Sequence, residues 1–372
     1  MDATFPRAAD ILARRLYDAG CRHAFGMPGG EVLTVVDALE AAGITFHLCK
    51  HENAAGFMAE GTYHRTGKPG ILVATVGPGL ANGLNVVANA QQDRVPLIVI
   101  SGCVDADETL TYTHQVFDHR AVLAPITKAT FTLTPEGADI IADKAVLIAS
   151  SARPGPVHID VPISVADMLV KQPLMSRHRV PAKVAPAEGR DLVRGRAWLA
   201  EASRPVMIVG LDALNDGAEE QIRSFAETFG VPVITTYKAK GILPEDHPLA
   251  LGGAGLSPLA DRFLLEFVKE ADLILLVGYD PIEMRIGWRD VWDPAKQRVV
   301  EFAAARNDHY MHQATLAFIC DAGEGLRALS KGVAPGKTWA GDRAAGLKQA
   351  LGEAFASHGK WGPSAVVETV RS

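Results

Sequence analysis

The chain has 372 residues, with 37 Lys and Arg against 43 Asp and Glu, a formal net charge of −6 and 48% apolar residues. At roughly 150 residues per domain that length suggests two to three domains, and the composition is that of globular proteins rather than disordered or fibrous ones. The acidic balance argues against binding nucleic acid through bulk positive charge, and no window reaches the ~20 uninterrupted apolar residues of a membrane helix. The N-terminus, MDATFPRAADILARRL, lacks the apolar segment of a signal peptide. Cys21, Cys49, Cys103 and Cys320 lie far apart with no C-x-x-C pair. They read as small buried residues in a reducing cytoplasm, which excludes a disulfide framework and a thiolate zinc site.

Short apolar runs alternate with longer segments of helical period, the signature of α/β layers on a parallel sheet. In chain order the expected strands of the first half are His23–Phe25, Thr45–Cys49, Gly70–Val76, Pro96–Ser101, Ala129–Leu133 and Val157–Val161. Helices are expected at Pro6–Ala19, Glu31–Ala42, Asn53–Thr66, Leu80–Asp93 and Pro135–Ser151. Runs such as LIVIS at Leu97–Ser101 are apolar on both faces and suit a sheet covered by helices on each side.

Residues 167–190 mix Pro, Lys and Arg without a clean period and read as an interdomain linker. A second series follows, with strands at Pro205–Gly210, Pro232–Thr236, Leu273–Gly278, Arg298–Phe302 and Ala317–Cys320 and helices near Ala218–Phe229, Pro258–Lys269 and Gly323–Leu329. The expectation is two doubly wound parallel-sheet domains, 1–166 and 191–335. Residues 336–372 read as a further linker and the start of another domain, or as a frayed tail docking on its own domain, because Pro363 and Ser364 open a helix whose stripe of Val366, Val367 and Val370 has nothing after it to pack on.

Three Gly/Pro-rich or polar segments fall directly after expected strands, where open α/β sheets place ligands. They are Gly26–Gly30, His51–Asn53, and Gly77–Gly79 with Asn82. Each alone is an ordinary turn; three consecutive ones on a single rim suggest a crevice. Glu52 sits at a strand-to-helix junction. It reads either as a carboxylate favoured by the helix dipole or as a semi-buried group able to hold a proton near neutral pH, and burial and dipole push its pKa in opposite directions. Leu251–Gly255 reads as a turn, and His309 and His312, without a carboxylate to complete a metal motif, as surface histidines.

At this point the residues resemble a known family. AFGMPGGEVLTVVDAL, HENAAGFMAEGTYHRTGKPG, ATVGPGLANGL and VPLIVISG, in this order, are similar to the pyrimidine-binding domain of thiamine diphosphate enzymes, above all acetolactate synthases and related 2-oxo acid decarboxylases and lyases. THQVFDHRAVLAPITK and SSARPGPVHIDVP resemble the rest of that domain, and the stretch from RPVMIVG to AFICDAG resembles the family's central domain.

The resemblance implies roles. Glu52 falls on the catalytic glutamate that hydrogen-bonds the aminopyrimidine and promotes the imino tautomer, whose nitrogen takes the proton from C2 of the thiazolium. The cofactor then acts as the electron sink when CO₂ leaves a 2-oxo acid. Pro28, Gly29 and Gly30 fall on the loop lining the cofactor, and Thr75, Gly77 and Asn82 on the loop flanking the pyrimidine. Gln115 matches a glutamine on the substrate side, and Lys128 a position near the access channel. The family's Gly-Asp-Gly and Asn pair, which hold Mg²⁺ and the diphosphate, have no counterpart in this sequence, so Mg²⁺ is expected from a domain outside it and no metal ligand is assigned within it. Gly278–Met284 stands where FAD-binding relatives carry Arg-Phe-Asp-Asp-Arg, which implies a protein without FAD. Two function classes follow: part of an acetolactate synthase-like enzyme, inactive without a diphosphate-binding domain, or a non-catalytic binding or assembly subunit. The resemblance also implies a homodimer or tetramer, with Asn53–Thr66 and Leu80–Asp93 near the two-fold axis; the small residues after Glu52 either allow close helix–helix approach there or only pack the helix on its own sheet.

Overall fold

The computed structural model describes residues 5–171, 182–308, 310–336 and 338–371. The chain divides into two compact units, residues 1–180 and 181–372.

In the first unit the order is α1 (Ala8–Asp18), β1 (His23–Met27), α2 (Leu33–Ala41), β2 (Thr45–Leu48), α3 (Glu52–Thr66), β3 (Gly70–Ala74), α4 (Pro78–Asn82), α5 (Leu84–Asp93), β4 (Leu97–Cys103), α6 (His119–Leu123), β5 (Ala129–Thr132), α7 (Ala138–Ser150), β6 (Val157–Pro162) and α8 (Ile163–Asp167). The strands form one parallel sheet, β2-β1-β3-β4-β6-β5. Every residue of β3 is buried, as a strand apolar on both faces requires, and so is every residue of β6, although it carries His158 and Asp160. On one face Ile11, Leu12 and Leu16 of α1, Val35 and Leu39 of α2 and the alanines of α7 form a core; on the other, Ala55 and Ala59 of α3 pack with Val86 and Val87 of α5.

That second core explains the small residues of α3. A Cβ on Gly56 would stand 2.2 Å from Val86 Cγ1, and one on Gly70 would stand 2.3 Å from the Ala59 carbonyl oxygen. Ala55, Gly56 and Ala59 therefore seat α3 on its own sheet and on α5, while Phe57 and Met58 face outward. The helix expected over Leu80–Asp93 is two helices, broken at Gly83, and the one expected from Glu31 begins with a 3₁₀ turn at Gly30–Val32.

The second unit runs α9 (Arg190–Glu201), β7 (Pro205–Val209), α10 (Leu211–Asn215), α11 (Glu219–Phe229), β8 (Val233–Thr236), β9 (Ala250–Ala254), α12 (Pro258–Glu270), β10 (Leu273–Val277), β11 (Arg298–Ala303), β12 (Leu316–Ile319), α13 (Ala322–Ser330), α14 (Arg343–Phe355) and α15 (Pro363–Arg371). Its sheet is also parallel, β12-β11-β10-β7-β8-β9. Both units are thus doubly wound α/β layers, as the alternating pattern suggests.

Several sequence expectations are corrected here. The glycine cluster at Leu251–Gly255 is mostly the edge strand β9, whose pairing with β8 shifts register between Val233 and Ile234; Gly252, at φ +102°, supplies the irregular backbone there. Helix α9 emerges where the linker was expected to end, held by buried Leu192, Trp198 and Leu199. Of the segment 167–190, Met168 and Val170 bond back to Ala8 and Pro6, and Lys183 and Val184 bond to Asp216 and Asp321; 172–181 lie outside the described residues. His312 is buried rather than superficial: its Nδ1 accepts from the Tyr279 hydroxyl at 2.6 Å and its Nε2 donates to the Trp288 carbonyl, and His309 lies outside the described residues. Trp339 stacks on Phe267 at 4.1 Å and donates to the Pro205 carbonyl, and Leu347 of α14 is buried on the same face. The valines of α15 are exposed.

Candidate functional site

In the first sheet, β1 leads outward to β2 on one side and to β3 on the other, so the topological switch lies between β1 and β3. Open α/β sheets place ligands outside the strand carboxyl ends at such a point. Pro28–Gly30 follows β1 there, Thr75–Gly79 follows β3, and Glu52 opens the helix after β2.

Glu52 is the first residue of α3 and is 3% exposed. The N-cap itself is His51, whose Nδ1 accepts from the Asn53 N–H. Asn82, at the end of α4, donates its Nδ2 to Glu52 Oε2 at 3.1 Å; among the described residues Oε1 has no hydrogen-bond partner. Two of the expected residues are therefore in direct contact.

Thr75 stands at the centre of the loops. Its hydroxyl donates to Glu31 Oε2 at 2.5 Å, tying the loop after β3 to the turn after β1. A Cβ on Gly29 would stand 2.4 Å from Thr75 Oγ1, and one on Gly79 would stand 2.5 Å from Thr75 Cγ2 and 3.4 Å from Glu52 Oε1. These two glycines let the loops close on each other, whereas Gly30 faces open space. Glu31, half-buried, was not among the expected site residues; an acid directly after Gly-Gly at a strand end was its only signal.

Gly77 adopts φ +59° and ψ −112°, a region open to glycine alone, and a Cβ there would meet the Gln115 carbonyl oxygen at 2.0 Å. Gln115, itself at φ +59°, is thereby set against the turn that carries Gly77. Gly77→Ala is expected to cost about 1–3 kcal/mol of strain and to push the 115–119 segment away. Urea denaturation and protease nicking near Gln115 would measure both.

Beneath this turn lies a buried polar chain that sequence reading did not find. The Gly77 N–H donates to His119 Nε2 at 2.9 Å, and His119 Nδ1 meets Asp160 Oδ1 at 2.8 Å. The Ser101 hydroxyl donates to the same Asp160 oxygen at 2.7 Å, which leaves His158 Nε2 to donate to Ser101 Oγ at 2.7 Å. All four residues are less than 7% exposed: His119 3%, Asp160 6%, Ser101 0% and His158 0%. Burial alone would raise the Asp160 pKa, but the hydrogen bond from His119 and the adjacent His158 ring outweigh it and hold the carboxyl well below its usual range. Two polar residues at alternate positions of an otherwise apolar strand, Val157-His-Ile-Asp160, were the available signal.

Lys128 is placed away from this rim. It precedes β5, at the amino ends of the strands, and its ammonium caps the carboxyl end of α7 through the Ser151 carbonyl at 2.9 Å. Burial, with a smaller contribution from Arg94, lowers its pKa to about 8. In the second unit the corresponding switch lies between β7 and β10, and there the loops touch through backbone: Gly210 N–H donates to the Val277 carbonyl and Asp212 N–H to the Gly278 carbonyl, both at 3.0 Å. Among the described residues no group of three His, Cys, Asp or Glu could hold a metal, and no helix is long and apolar enough to cross a membrane.

A doubly wound unit with a buried glutamate beside glycine-lined loops, followed by a second doubly wound unit, agrees with the comparisons to known proteins. The N-terminal TPP binding domain of thiamine pyrophosphate enzymes matches residues 6–122, and their central domain matches residues 195–329. The chain belongs to the thiamine pyrophosphate enzymes and is acetolactate synthase-like. It is 34% identical over 278 residues to a probable acetolactate synthase large subunit of Methanocaldococcus jannaschii, covering 73% of this chain and 47% of the relative. It is 35% identical over 277 residues to the acetolactate synthase isozyme 1 large subunit of Escherichia coli, covering 73% and 48%. A probable 2-ketoarginine decarboxylase of Pseudomonas aeruginosa is 35% identical over 294 residues, covering 76% and 50%. The chain spans about half the length of these relatives.

Proposed function

We propose that this chain forms the pyrimidine-binding and central parts of a thiamine diphosphate-dependent enzyme that decarboxylates 2-oxo acids and transfers or ligates the resulting fragment. The observation that carries this reading is the Glu52 carboxylate, buried at the switch point, with Oε2 held by Asn82 and Oε1 uncommitted. A buried acceptor in that state fits the ring nitrogen of an aminopyrimidine. Bound thiamine diphosphate supplies the carbon nucleophile and electron sink that no side chain offers. Glu52 holds and returns the proton at that ring nitrogen, Asn82 orients its carboxylate, Thr75 and Gly77 shape the pyrimidine side, and Pro28, Gly29 and Gly30 line the crevice. Gln115, set against Gly77, reaches the substrate.

The diphosphate and Mg²⁺ are assigned to protein groups other than these residues. FAD is not part of the proposal. Relatives named for acetolactate synthesis and for 2-ketoarginine decarboxylation support the 2-oxo acid class without choosing within it. A homodimer or tetramer in the cytoplasm completes the reading, and the outward Leu48, Phe57 and Met58 offer an apolar surface for a second copy. The test is turnover of pyruvate and larger 2-oxo acids by the full-length polypeptide with thiamine diphosphate and Mg²⁺, compared with Glu52→Gln. Absence of turnover in the wild type, with cofactor bound, would favour a non-catalytic subunit.

A further inference from the structure

We propose that His119 is a positioning residue for the turn that carries Gly77: as the neutral Nδ1–H tautomer it accepts the Gly77 N–H and holds the turn, and on protonation it releases it. The geometry fixes the tautomer. An N–H aimed at Nε2 at 2.9 Å requires a lone pair there, so the ring proton sits on Nδ1, 2.8 Å from Asp160 Oδ1. The ring has little freedom to reorient, because it is 3% exposed, Phe117 lies edge-on at 5.0 Å, and its backbone opens α6 behind the Asp118 cap.

Protonation keeps the Asp160 bond and makes Nε2 a donor. Two donors would then face each other across the Gly77 contact, and the turn is the partner able to move. Gly77 sits where only glycine is at ease, clamped from the other side by the Gln115 carbonyl, so its N–H bond to His119 is a specific restraint on the segment leading to Asn82 and hence to Glu52. The titratable groups around the ring are Asp160, directly bonded, and beyond it His158, bonded to Ser101, and the Cys103 thiol, bonded to Asp160. The consequence for cofactor binding rests on the proposed function, whereas the coupling between ring and turn does not.

The test uses the full-length ¹⁵N-labelled protein. The His119 ring nitrogens are expected to report the Nδ1–H tautomer in the neutral ring, and the Gly77 amide resonance to shift with the same midpoint as the ring when the protein is titrated with acid. His119→Gln, which keeps an acceptor and a donor, is expected to hold the amide near its wild-type position and to abolish the pH step. His119→Phe is expected to displace the amide at every pH and to raise the KM for thiamine diphosphate about tenfold, the size of one lost hydrogen bond, with kcat changed less. A purely structural role would lower the melting temperature of both variants without a pH-linked shift. An Nε2–H tautomer, or a Gly77 amide indifferent to the ring's titration, would each overturn the proposal. If His119→Phe does not fold, the wild-type titration decides alone. A pH-coupled amide together with no turnover by the cofactor-loaded wild type would retain the coupling and reject the enzyme reading.

Discussion

Under the proposed function, Glu52→Gln is expected to lower turnover of a 2-oxo acid by about 10²–10⁴-fold, the range typical of a lost positioned proton acceptor. The amide has the shape of the carboxylate, and its oxygen can still accept from Asn82 Nδ2, so the α3–α4 contact survives. What it lacks is the negative charge that draws a proton to the bound ring nitrogen. Two stability effects oppose each other. The first turn of α3 loses a carboxylate that the helix dipole favours by about 0.3–1 kcal/mol, and a charge 3% exposed no longer has to be kept out of water. The melting temperature should therefore move by only a few degrees. Steady-state CO₂ release and thermal melting by circular dichroism read the two quantities separately. Wild-type turnover in the mutant would reduce Glu52 to a helix-terminus carboxylate.

The second large effect concerns stability. Asp160→Ala is expected to destabilise the first unit by about 3–5 kcal/mol, because His119 Nδ1–H and the Ser101 hydroxyl lose a buried anionic acceptor together. The effect carries a pH signature. The folded pKa of Asp160 is depressed below the unfolded value, so its contribution is complete above the unfolded carboxyl pKa near 4 and falls away as pH drops toward the folded one. Wild-type and mutant urea-denaturation curves should therefore be well separated at neutral pH and approach each other in acid. A gap below about 1 kcal/mol, or one that does not change with pH, would show that the Asp160 charge does not support the fold. The same substitution frees the His119 tautomer, which links this measurement to the Gly77 amide.

The small residues of α3 show how a motif can be legible while its use is not. Their closeness to Glu52 suggests a subunit interface, yet Gly56 and Gly70 are occupied by contacts within the unit, with Val86 and with the Ala59 carbonyl. The interface proposed here falls instead to the outward side chains of the same region, Leu48, Phe57 and Met58.

Much of the fold follows from the sequence because its determinants are local. Apolar runs of strand length, helical periods between them and turn residues at their ends depend on neighbours a few positions apart, and they mark eleven of the strands described here. Edge strand β9 escaped because glycines and a register shift erase alternation. Glu52 and the Gly/Pro loops were legible for the same local reason, since a rim residue of a parallel sheet must directly follow a strand. The tertiary structure alone decided which of these residues meet. Thr75 reaches Glu31 across 44 residues, Asn82 reaches Glu52 across 30, His119 reaches Gly77 across 42, and Ser101 reaches Asp160 across 59. A hydrogen bond over such separations leaves no periodic trace in either segment. It exists because the parallel sheet brings β1, β3, β4 and β6 into register, so that side chains from distant strand ends share one buried volume and must satisfy one another there.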